Sequence, residues 1–484
     1  MKIILIEVAE PKIFNIFRMQ KMPRLGLPII GKILQNLGHE VVIYVENISA
    51  IDWPEVFSAD LVGISALTPT ATRAYEIAEK IRAKKKNISI CGGGPHFTFL
   101  PEEALKYFDF VIRNEGEKTI VELVEWLANP DSAVIKNILG LSYRIGQKIF
   151  HNPDRPFLSS EELDLLPFPD FSLIAGYKIK DLIPVQTSRG CPFNCTFCSV
   201  TPMFGKGYRF RSVESIMAEL EKLKNQYPGA KVFFYDDNFA ANFSRTKGLL
   251  REMIHRKIMP TWQTQVRVGV AKDLELMELM AQSGCKWLFL GLESVNPETL
   301  KEYKKNQTIE DISQGIETIH KFGMKALGMY VVGGDSDGIT TAKETVCFAE
   351  KLKLDALQIW TLGPLPGTLV YKKLKAQGRL LFLELGDKMW RLYDGIRVVI
   401  QPKQMTPWQF QISVIRAMMS YYAWKWFNKG FVAIGKFLSP FHSWQAKKSS
   451  FRSLVLSIYA RGLTRQAKKF LKEHLADLKK LKAP

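Results

Sequence analysis

Three closely spaced cysteines occur in the run Ser188-Arg189-Gly190-Cys191-Pro192-Phe193-Asn194-Cys195-Thr196-Phe197-Cys198. Three thiolates on one tight loop can bind three irons of a [4Fe–4S] cluster and leave the fourth iron without a protein ligand. Structural zinc is the alternative, but it needs four ligands, usually from two cysteine or histidine pairs, and no second pair lies nearby. His151 and His255 are too isolated in the sequence to complete such a site. The spacing therefore favours a cluster with one open iron, bound by Cys191, Cys195 and Cys198.

This cysteine motif resembles that of the radical S-adenosylmethionine (SAM) enzymes. In that family the residue before the last cysteine is typically aromatic, as Phe197 is here. The resemblance implies that the open iron binds the amino and carboxylate groups of SAM. Independently of it, residues 184–188 are interpreted as a buried strand that leads directly into the cysteine loop. The loop would then lie at the carboxyl end of a strand, where barrel enzymes have their active sites.

Residues 184–375 repeat a strand pattern followed by a helix pattern. This alternation predicts a partial (β/α)6 barrel with the active site at the carboxyl ends of its strands. The predicted strands are 184–188, 231–236, 262–268, 286–292, 325–332 and 356–361.

Polar side chains at the ends of these strands are candidates for binding SAM. The ligand needs an acceptor for its ammonium group, a donor for its carboxylate and an acceptor for its ribose hydroxyls. Asp236 or Asp237, Arg267 and Glu293 meet these needs in that order. Each of them could instead cap a helix or form a surface ion pair. The resemblance implies that these positions, together with Phe197, contact SAM, and it leaves the choice between Asp236 and Asp237 open.

Residues 1–130 predict a separate α/β domain. Five short apolar runs alternate with helical patterns, which is typical of a parallel, doubly wound, Rossmann-like sheet whose ligands bind at the carboxyl ends of its strands. The predicted strands are 3–8, 41–45, 61–66, 88–91 and 109–112.

Two of these strand ends carry small residues. The segments that supply them are Ser65-Ala66-Leu67-Thr68 and Gly92-Gly93-Gly94. Consecutive glycines let a ligand approach the backbone closely, although a simple turn before a helix would explain them as well. In front of a radical SAM barrel, the domain resembles the cobalamin-binding domain of cobalamin-dependent radical SAM enzymes. Its SxL element is matched by Ser65 and Leu67 and its GG element by Gly92 and Gly93, so Thr68 and Gly94 complete the candidate set.

The histidine that binds cobalt in other cobalamin proteins has no counterpart here. Its DxHxxG element is replaced after the first strand by residues 9–14, and His39 is expected at the surface. The resemblance therefore implies a corrinoid bound without a protein histidine.

The other two parts of the chain carry less information. Residues 131–183, with four prolines and an acidic run, are interpreted as a linker, and residues 376–484 as a helical region. The last 64 residues contain 14 lysines and arginines against two acids, and they are rich in aromatic residues. This composition suggests contact with an anionic membrane surface, with nucleic acid as the less favoured partner and a solvated basic face as the plain alternative.

The cysteine count indicates a reducing compartment. Cys91, Cys285 and Cys347 stand alone, so we expect no disulfide framework, no auxiliary clusters and a cytoplasmic location. The basic tail, and not the cysteines, is the reason to expect contact with the inner face of the membrane. Only one cysteine precedes the motif, which excludes the methylthiotransferases. No apolar run is long enough to predict a transmembrane helix.

The resemblance implies a cobalamin-dependent methyltransferase that acts at an unactivated carbon through a 5′-deoxyadenosyl radical and methylcobalamin. The expected cofactors are a [4Fe–4S] cluster, SAM and cobalamin, and the expected partners are a small or lipid-like substrate and a reductant such as flavodoxin or ferredoxin. A cyclase or oxidoreductase built on the same two domains is the first alternative. A non-catalytic corrinoid-binding module is the second, and the intact cysteine motif argues against it.

Overall fold

The structure, a computed structural model, describes residues 1–9, 22–178, 182–438 and 474–478, with residues 423–438 described by their backbone alone. Residues 10–14 of the segment that replaces DxHxxG, and residues 439–473 of the basic tail, lie outside this part of the chain. Within it, no helix is both long and apolar enough to cross a lipid bilayer.

The first sheet has seven strands in the order β2-β1-β3-β4-β5-β6-β7. Its first five strands are parallel and their central residues are buried on both faces, as expected of apolar runs covered by helices. The strands are β1 (Lys2–Glu7), β2 (Glu40–Val45), β3 (Leu61–Ser65), β4 (Ser89–Gly93), β5 (Phe110–Ile112), β6 (Leu141–Ile145) and β7 (Lys148–His151). The strand order reverses between β1 and β3, which is where such sheets bind ligands.

Strands β6 and β7 lie within the segment interpreted as a linker. They form an antiparallel hairpin that pairs with β5 and extends the first sheet. The hairpin covers an edge that would otherwise expose unpaired backbone groups. All four residues of β7 are exposed, so the sequence contains no alternation that would predict this strand.

The second sheet has six parallel strands in the order β15-β14-β13-β12-β11-β8. Among the described residues no backbone pairing joins β15 to β8, so the barrel is open, as predicted. Its strands are β8 (Leu182–Val185), β11 (Lys231–Phe234), β12 (Trp262–Val266), β13 (Cys285–Glu293), β14 (Lys325–Val332) and β15 (Ala356–Thr361). Two short strands, β9 (Ser188–Arg189) and β10 (Arg209–Phe210), form a separate antiparallel pair.

Helices connect the strands of both sheets. Local signals define several of their ends: Thr308 and Asp311, for example, form a reciprocal capping box. The helices are α1 (Gly26–Asn36), α2 (Trp53–Val56), α3 (Ala71–Lys84), α4 (Pro95–Phe99), α5 (Pro101–Ala104), α6 (Glu117–Ala128), α7 (Ser160–Asp164), α8 (Val200–Phe204), α9 (Val213–Gln226), α10 (Phe243–His255), α11 (Leu274–Gln282), α12 (Pro297–Glu302), α13 (Ile309–Lys321), α14 (Thr341–Lys351), α15 (Leu369–Ala376) and α16 (Pro407–Leu438).

The chain after the barrel returns to the first domain. A 3₁₀ segment at Leu383–Leu392 contacts α3, and α16 then packs on α14 and β15. The Trp390 indole donates to Glu103 Oε1 of α5 at 2.8 Å, and Thr72 Oγ1 of α3 donates to the Asp387 carbonyl at 2.9 Å. Residues 387–397, called the bridging segment below, thus join the barrel to the first domain.

Candidate functional site

The cysteine loop starts where the chain leaves β8. Thr187 donates through its backbone N–H and its hydroxyl to the Asp236 carboxylate, and Ser188 donates through its hydroxyl. The strand therefore ends at Val185, earlier than the predicted residue 188. Gly190 has φ +83°, and a Cβ there would lie 2.3 Å from the Gly207 carbonyl oxygen, so only glycine can take this turn.

The far side of the loop is fixed to the barrel. The Thr196 hydroxyl donates to the Glu302 carbonyl at 3.2 Å, and its N–H donates to the Tyr303 carbonyl at 3.2 Å. The Phe197 ring packs edge-on against Tyr303, with 5.0 Å between ring centroids. These contacts hold the aromatic residue of the motif in place on the barrel side of the loop.

All three motif thiols are partly accessible. Burial raises the pKa of the Cys191 thiol, and it raises that of Cys198 to about 12. No group of three or more His, Cys, Asp or Glu side chains in the described part of the chain is close enough to hold a single metal ion. Structural zinc takes four ligands, whereas three thiolates on one loop can bind three irons of a cubane cluster. The donor set fits a [4Fe–4S] cluster.

The two neighbouring aspartates at the end of β11 have different surroundings. Asp236 is buried and accepts three hydrogen bonds from Thr187 and Ser188. Asp237 instead lines a cavity in front of the cysteine loop. Its side chain is exposed to that cavity, where desolvation by the surrounding protein and the charge of Asp236 raise its pKa to about 7. Asp236 therefore shapes the loop, while Asp237 is the carboxylate that can reach a ligand.

Arg267 and Glu293 lie on the other side of the loop and share one neighbour. Arg267 donates to the Lys305 carbonyl, stacks at 3.9 Å on the Phe193 ring and has Nη1 3.9 Å from Cys195 Sγ. The Lys305 ammonium lies 2.7 Å from Glu293 Oε1, and both side chains are buried. Lys305 could not be predicted from the sequence, because it lies in an irregular loop 12 residues after its partner and belongs to no motif.

A cavity of about 370 Å³, the cofactor cavity, separates the two sheets. The carboxyl ends of β1, β3 and β4 form one wall, and the opposite wall is formed by α8 with Arg189 and Ser199, which lie on either side of the cysteine motif. Ser65, Leu67 and all three of Gly92, Gly93 and Gly94 line it. The structure therefore brings five of the six cobalamin candidates to the face opposite the cluster loop.

The glycines of this wall have separate roles. A Cβ on Gly93 would meet no atom within 4 Å, so the backbone there is open to a ligand. A Cβ on Gly94, which has φ +99°, would lie 2.7 Å from the Ala66 carbonyl oxygen. Gly93 therefore gives space to a bound group, and Gly94 allows the turn into α4. This open backbone fits the flat corrin ring that the resemblance implies.

Thr68 is the candidate that lies away from the cofactor cavity. Its hydroxyl lies 3.4 Å from His96 Nδ1, and His96 Nε2 lies 3.3 Å from Glu103 Oε1. His96 is fully buried, and burial lowers its pKa. No histidine is found among the described residues that line the cofactor cavity. His39, as expected, lies elsewhere, 3.4 Å from the Met1 amino group.

Buried ion pairs connect the cysteine loop to the first domain. Arg189, two residues before the first motif cysteine, contacts Glu115 at 3.1 Å and Glu117 at 2.7 Å. Arg209 of β10 also contacts Glu115, at 2.9 Å. All four side chains are at most 14% exposed. Since isolated charges are costly to bury, this network fixes the two domains to each other.

A second cavity of about 390 Å³, the apolar chamber, adjoins the cofactor cavity. Leu67, Pro95 and Ser199 line both spaces. The remaining walls come from Phe197 of the cysteine loop, the ends of β14 and β15, residues 362–366 and the bridging segment. The chamber therefore touches the first domain, the cluster loop and the barrel together.

Comparison with known proteins gives two family matches. Residues 185–343 match the radical SAM superfamily, and residues 12–124 match the B12 binding domain. A Pyrococcus horikoshii protein named as an uncharacterised methyltransferase is 32% identical over 413 residues, which cover 83% of this chain and 88% of that protein. Bacteriochlorophyllide d C-8(2)-methyltransferase of Chlorobaculum tepidum is 28% identical, covering 76% of this chain and 78% of the relative.

Other relatives catalyse a different reaction. The anaerobic magnesium-protoporphyrin IX monomethyl ester cyclase of Cereibacter sphaeroides is 26% identical, covering 72% of this chain and 57% of the cyclase. Among solved structures, the fold is similar to that of the radical SAM methyltransferase TsrM from Kitasatospora setae, with cobalamin and a [4Fe–4S] cluster bound. The TM-score is 0.66 at 20% identity, and 78% of each chain is covered. The predicted order of a B12-binding domain followed by a radical SAM barrel is confirmed.

Proposed function

Because this chain belongs to the radical SAM enzymes that carry a B12-binding domain, we propose that it is a cobalamin-dependent methyltransferase acting at an unactivated carbon. One observation carries the proposal: the glycine wall of the first domain lines one cavity together with Arg189 and Ser199, the residues on either side of the cysteine motif. A corrinoid on Gly92–Gly94 would therefore lie next to the cluster-binding loop. The enzyme's cofactors are a [4Fe–4S] cluster, SAM and cobalamin.

The protein positions these groups and excludes water. When bound, the cluster and SAM supply a 5′-deoxyadenosyl radical, and cobalamin supplies a transferable methyl group. Cys191, Cys195 and Cys198 hold three irons of the cluster. The buried network of Arg189, Glu115 and Glu117 holds the loop against the first domain, so the distance between the two cofactor sites is fixed before a substrate binds.

For SAM, the positions of the charged side chains support specific roles. Asp237 accepts from the ammonium group, because Asp236 is already occupied by Thr187 and Ser188. Arg267 lies beside Cys195 and donates to the SAM carboxylate. Glu293 accepts from the ribose hydroxyls and is held by the Lys305 ammonium. Phe197, fixed by Tyr303, completes the site.

For cobalamin, the proposed site is the wall formed by Ser65, Leu67 and the three glycines, without a histidine ligand to the metal. Thr68 does not line this wall; it contacts His96 and faces the apolar chamber. We assign it to the substrate side.

The runner-up is a cyclase or oxidoreductase that uses the same cofactors without methyl transfer. The similarity to the Cereibacter sphaeroides cyclase favours keeping it as the second candidate. A non-catalytic corrinoid-binding module does not account for the anchored cysteine loop.

The substrate is a small molecule, and a flavodoxin or ferredoxin is the proposed electron donor. A cytoplasmic location suits the unpaired cysteines of the described chain. Membrane contact was predicted from the basic tail, most of which lies outside the described residues, so it stays a prediction. The absence of nucleic-acid binding stays a prediction for the same reason.

The proposal is tested with anaerobically reconstituted protein, supplied with hydroxocobalamin, SAM and a low-potential reductant. Corrinoid is measured by visible absorption, and S-adenosylhomocysteine and 5′-deoxyadenosine by mass spectrometry. The control is a variant with all three motif cysteines changed to alanine. Formation of both nucleosides by the wild type alone supports the methyltransferase. 5′-Deoxyadenosine without S-adenosylhomocysteine supports the cyclase or oxidoreductase, and a chain that takes up no corrinoid overturns both.

A further inference from the structure

The apolar chamber lies where a substrate of the proposed reaction has to bind. Leu67 and Pro95 border the cofactor cavity from the first domain, and Ser199 borders it from the cysteine loop. A molecule in the chamber would therefore reach both the corrinoid side and the cluster side. Its volume of about 390 Å³ lies in the range of sites that enclose small organic ligands.

The bridging segment closes the chamber and is held from two sides. Trp390 bonds to Glu103 of the first domain at 2.8 Å. On the barrel side, the Thr361 N–H donates to the Gly395 carbonyl at 2.7 Å. A Cβ on Gly395 would lie 1.9 Å from Trp360 Cε3, so glycine is required for this close packing. The chamber wall is thus a built feature of the fold.

The walls of the chamber are apolar and carry no free charge. No lysine, arginine or histidine is found among the described residues that line it. Its one carboxylate, Asp394, lies 2.6 Å from the Arg397 guanidinium and accepts from the N–H groups of Ile396 and Arg397 at 2.8 and 2.9 Å. An anionic ligand would therefore lose its hydration without gaining a cation, whereas an uncharged ligand has no such cost.

One polar atom of the wall has no partner in the protein. Tyr393 is 2% exposed and lines the chamber, and its hydroxyl makes no hydrogen bond within the described residues. A buried hydroxyl without a partner is unfavourable, but this oxygen has almost no accessible surface, so a ligand in the chamber meets the Tyr393 ring and not its hydroxyl.

We propose that the apolar chamber binds the methyl acceptor, and that this substrate is an uncharged, largely apolar molecule. The inference rests on the proposed function, because only that function requires a substrate between the two cofactor sites. It adds the class of substrate, which neither the family nor the relatives fix.

Gly363 offers a direct way to fill the chamber. It lines the chamber, and a Cβ there would meet no atom within 4 Å. Gly363→Phe therefore occupies the chamber without disturbing the fold. Gly248 in α10 is equally free of neighbours and lines neither cavity, so Gly248→Phe is the matched control.

The experiment is an equilibrium dialysis of reconstituted protein against two probes, methyl 1-pyrenebutyrate and 1-pyrenebutyrate. Each probe is quantified after extraction, which gives its dissociation constant. The two share one ring system and differ in charge. We expect the neutral ester to bind at least about tenfold more tightly than the acid, because the acid has to shed its hydration. Gly363→Phe should abolish ester binding, while Gly248→Phe should bind the ester as the wild type does.

Equal binding of acid and ester overturns the proposal, and so does ester binding that Gly363→Phe leaves unchanged. Corrinoid content, iron content and SAM cleavage are measured in the same samples. If ester and acid bind equally while corrinoid content and SAM cleavage are normal, the proposed substrate class is wrong and the proposed function stands. A wild type that takes up no corrinoid removes the proposed function itself.

Discussion

The Arg189 Nη2 atom lies 2.7 Å from Glu117 Oε1, and this buried contact joins the strand before the cysteine loop to the first turn of α6. Although burial alone would raise the pKa of Glu117, the adjacent Arg189 charge holds it below its usual range. The two cofactor-binding domains thus meet through a charged contact that excludes water.

The first prediction concerns this contact. Glu117→Gln removes one carboxylate and leaves the buried Arg189 guanidinium with only Glu115. We expect a loss of about 3 kcal/mol of stability, measured as a lower melting temperature of the reconstituted protein. Glu122→Gln is the control on the same helix. The Glu122 side chain, which pairs with Arg155, is 40% exposed, so its substitution should lower the stability by less than about 1 kcal/mol. Equal effects of the two variants would contradict the structural role of Arg189.

The second prediction concerns the cluster. Cys195→Ala should abolish stable iron incorporation after anaerobic reconstitution, because two thiolates cannot hold the cluster in place. Cys347→Ala, which removes an exposed cysteine outside the motif, should keep the wild-type iron content. Iron and acid-labile sulfide analysis measures both variants, and retention of a full cluster by Cys195→Ala would exclude the proposed ligand set.

The third prediction separates the neighbouring aspartates. Asp237→Asn should raise the dissociation constant for SAM about tenfold and leave the melting temperature unchanged, because it removes a charge that faces the cavity. Asp236→Asn should instead lower the melting temperature by the equivalent of about 2 kcal/mol, since it loses bonds from Thr187 and Ser188. Equilibrium dialysis and thermal unfolding give the two readouts. The reverse pattern would assign the ligand contact to Asp236.

The fourth prediction concerns the corrinoid. Gly93→Leu places a side chain in open space at the glycine wall, so we expect loss of bound corrinoid with full iron content. Gly248→Leu should bind corrinoid as the wild type does. Visible absorption after gel filtration measures the corrinoid content, and normal uptake by Gly93→Leu would place the corrinoid elsewhere.

The fifth prediction concerns pH. Burial lowers the pKa of His96, which faces Glu103, Thr68, Tyr75 and Trp390. The pKa of histidine in an unfolded chain is about 6.5. Below that pH the unfolded chain takes up a proton that the folded chain does not, so stability falls with falling pH. We expect the melting temperature to drop between about pH 6.5 and 5, and His96→Gln to flatten that drop. An unchanged slope in the variant would show that other groups cause it.

Much of the architecture could be predicted because its signals are local. The apolar runs that became β1, β3 and β14 have the length and flanking residues of buried strands, and their predicted bounds agree with the structure to within two residues. The hairpin of β6 and β7 was missed because the exposed residues of β7 carry no alternation. It is held by its pairing to β5, which no local pattern records.

The sequence predicted which residues belong to the site better than it predicted which atoms those residues contact. The sequence could not separate Asp236 from Asp237, because adjacent residues at a strand end point to opposite sides and only the fold decides which one faces the cavity. Lys305 and Tyr393 were missed because their roles depend on residues distant in sequence. Thr68 was grouped with the cobalamin set by adjacency alone, yet it lies on the far side of Leu67 with His96.

The bridging segment also imposes an order in time. A ribosome makes the chain from its amino end, so every residue that lines the cofactor cavity is translated before residues 387–397. The nascent enzyme can therefore acquire its metal cluster and its corrinoid while the space for the methyl acceptor is still open to solvent. Reactive chemistry becomes possible only after the last wall is translated and docked, and maturation is in this way separated from turnover within one polypeptide.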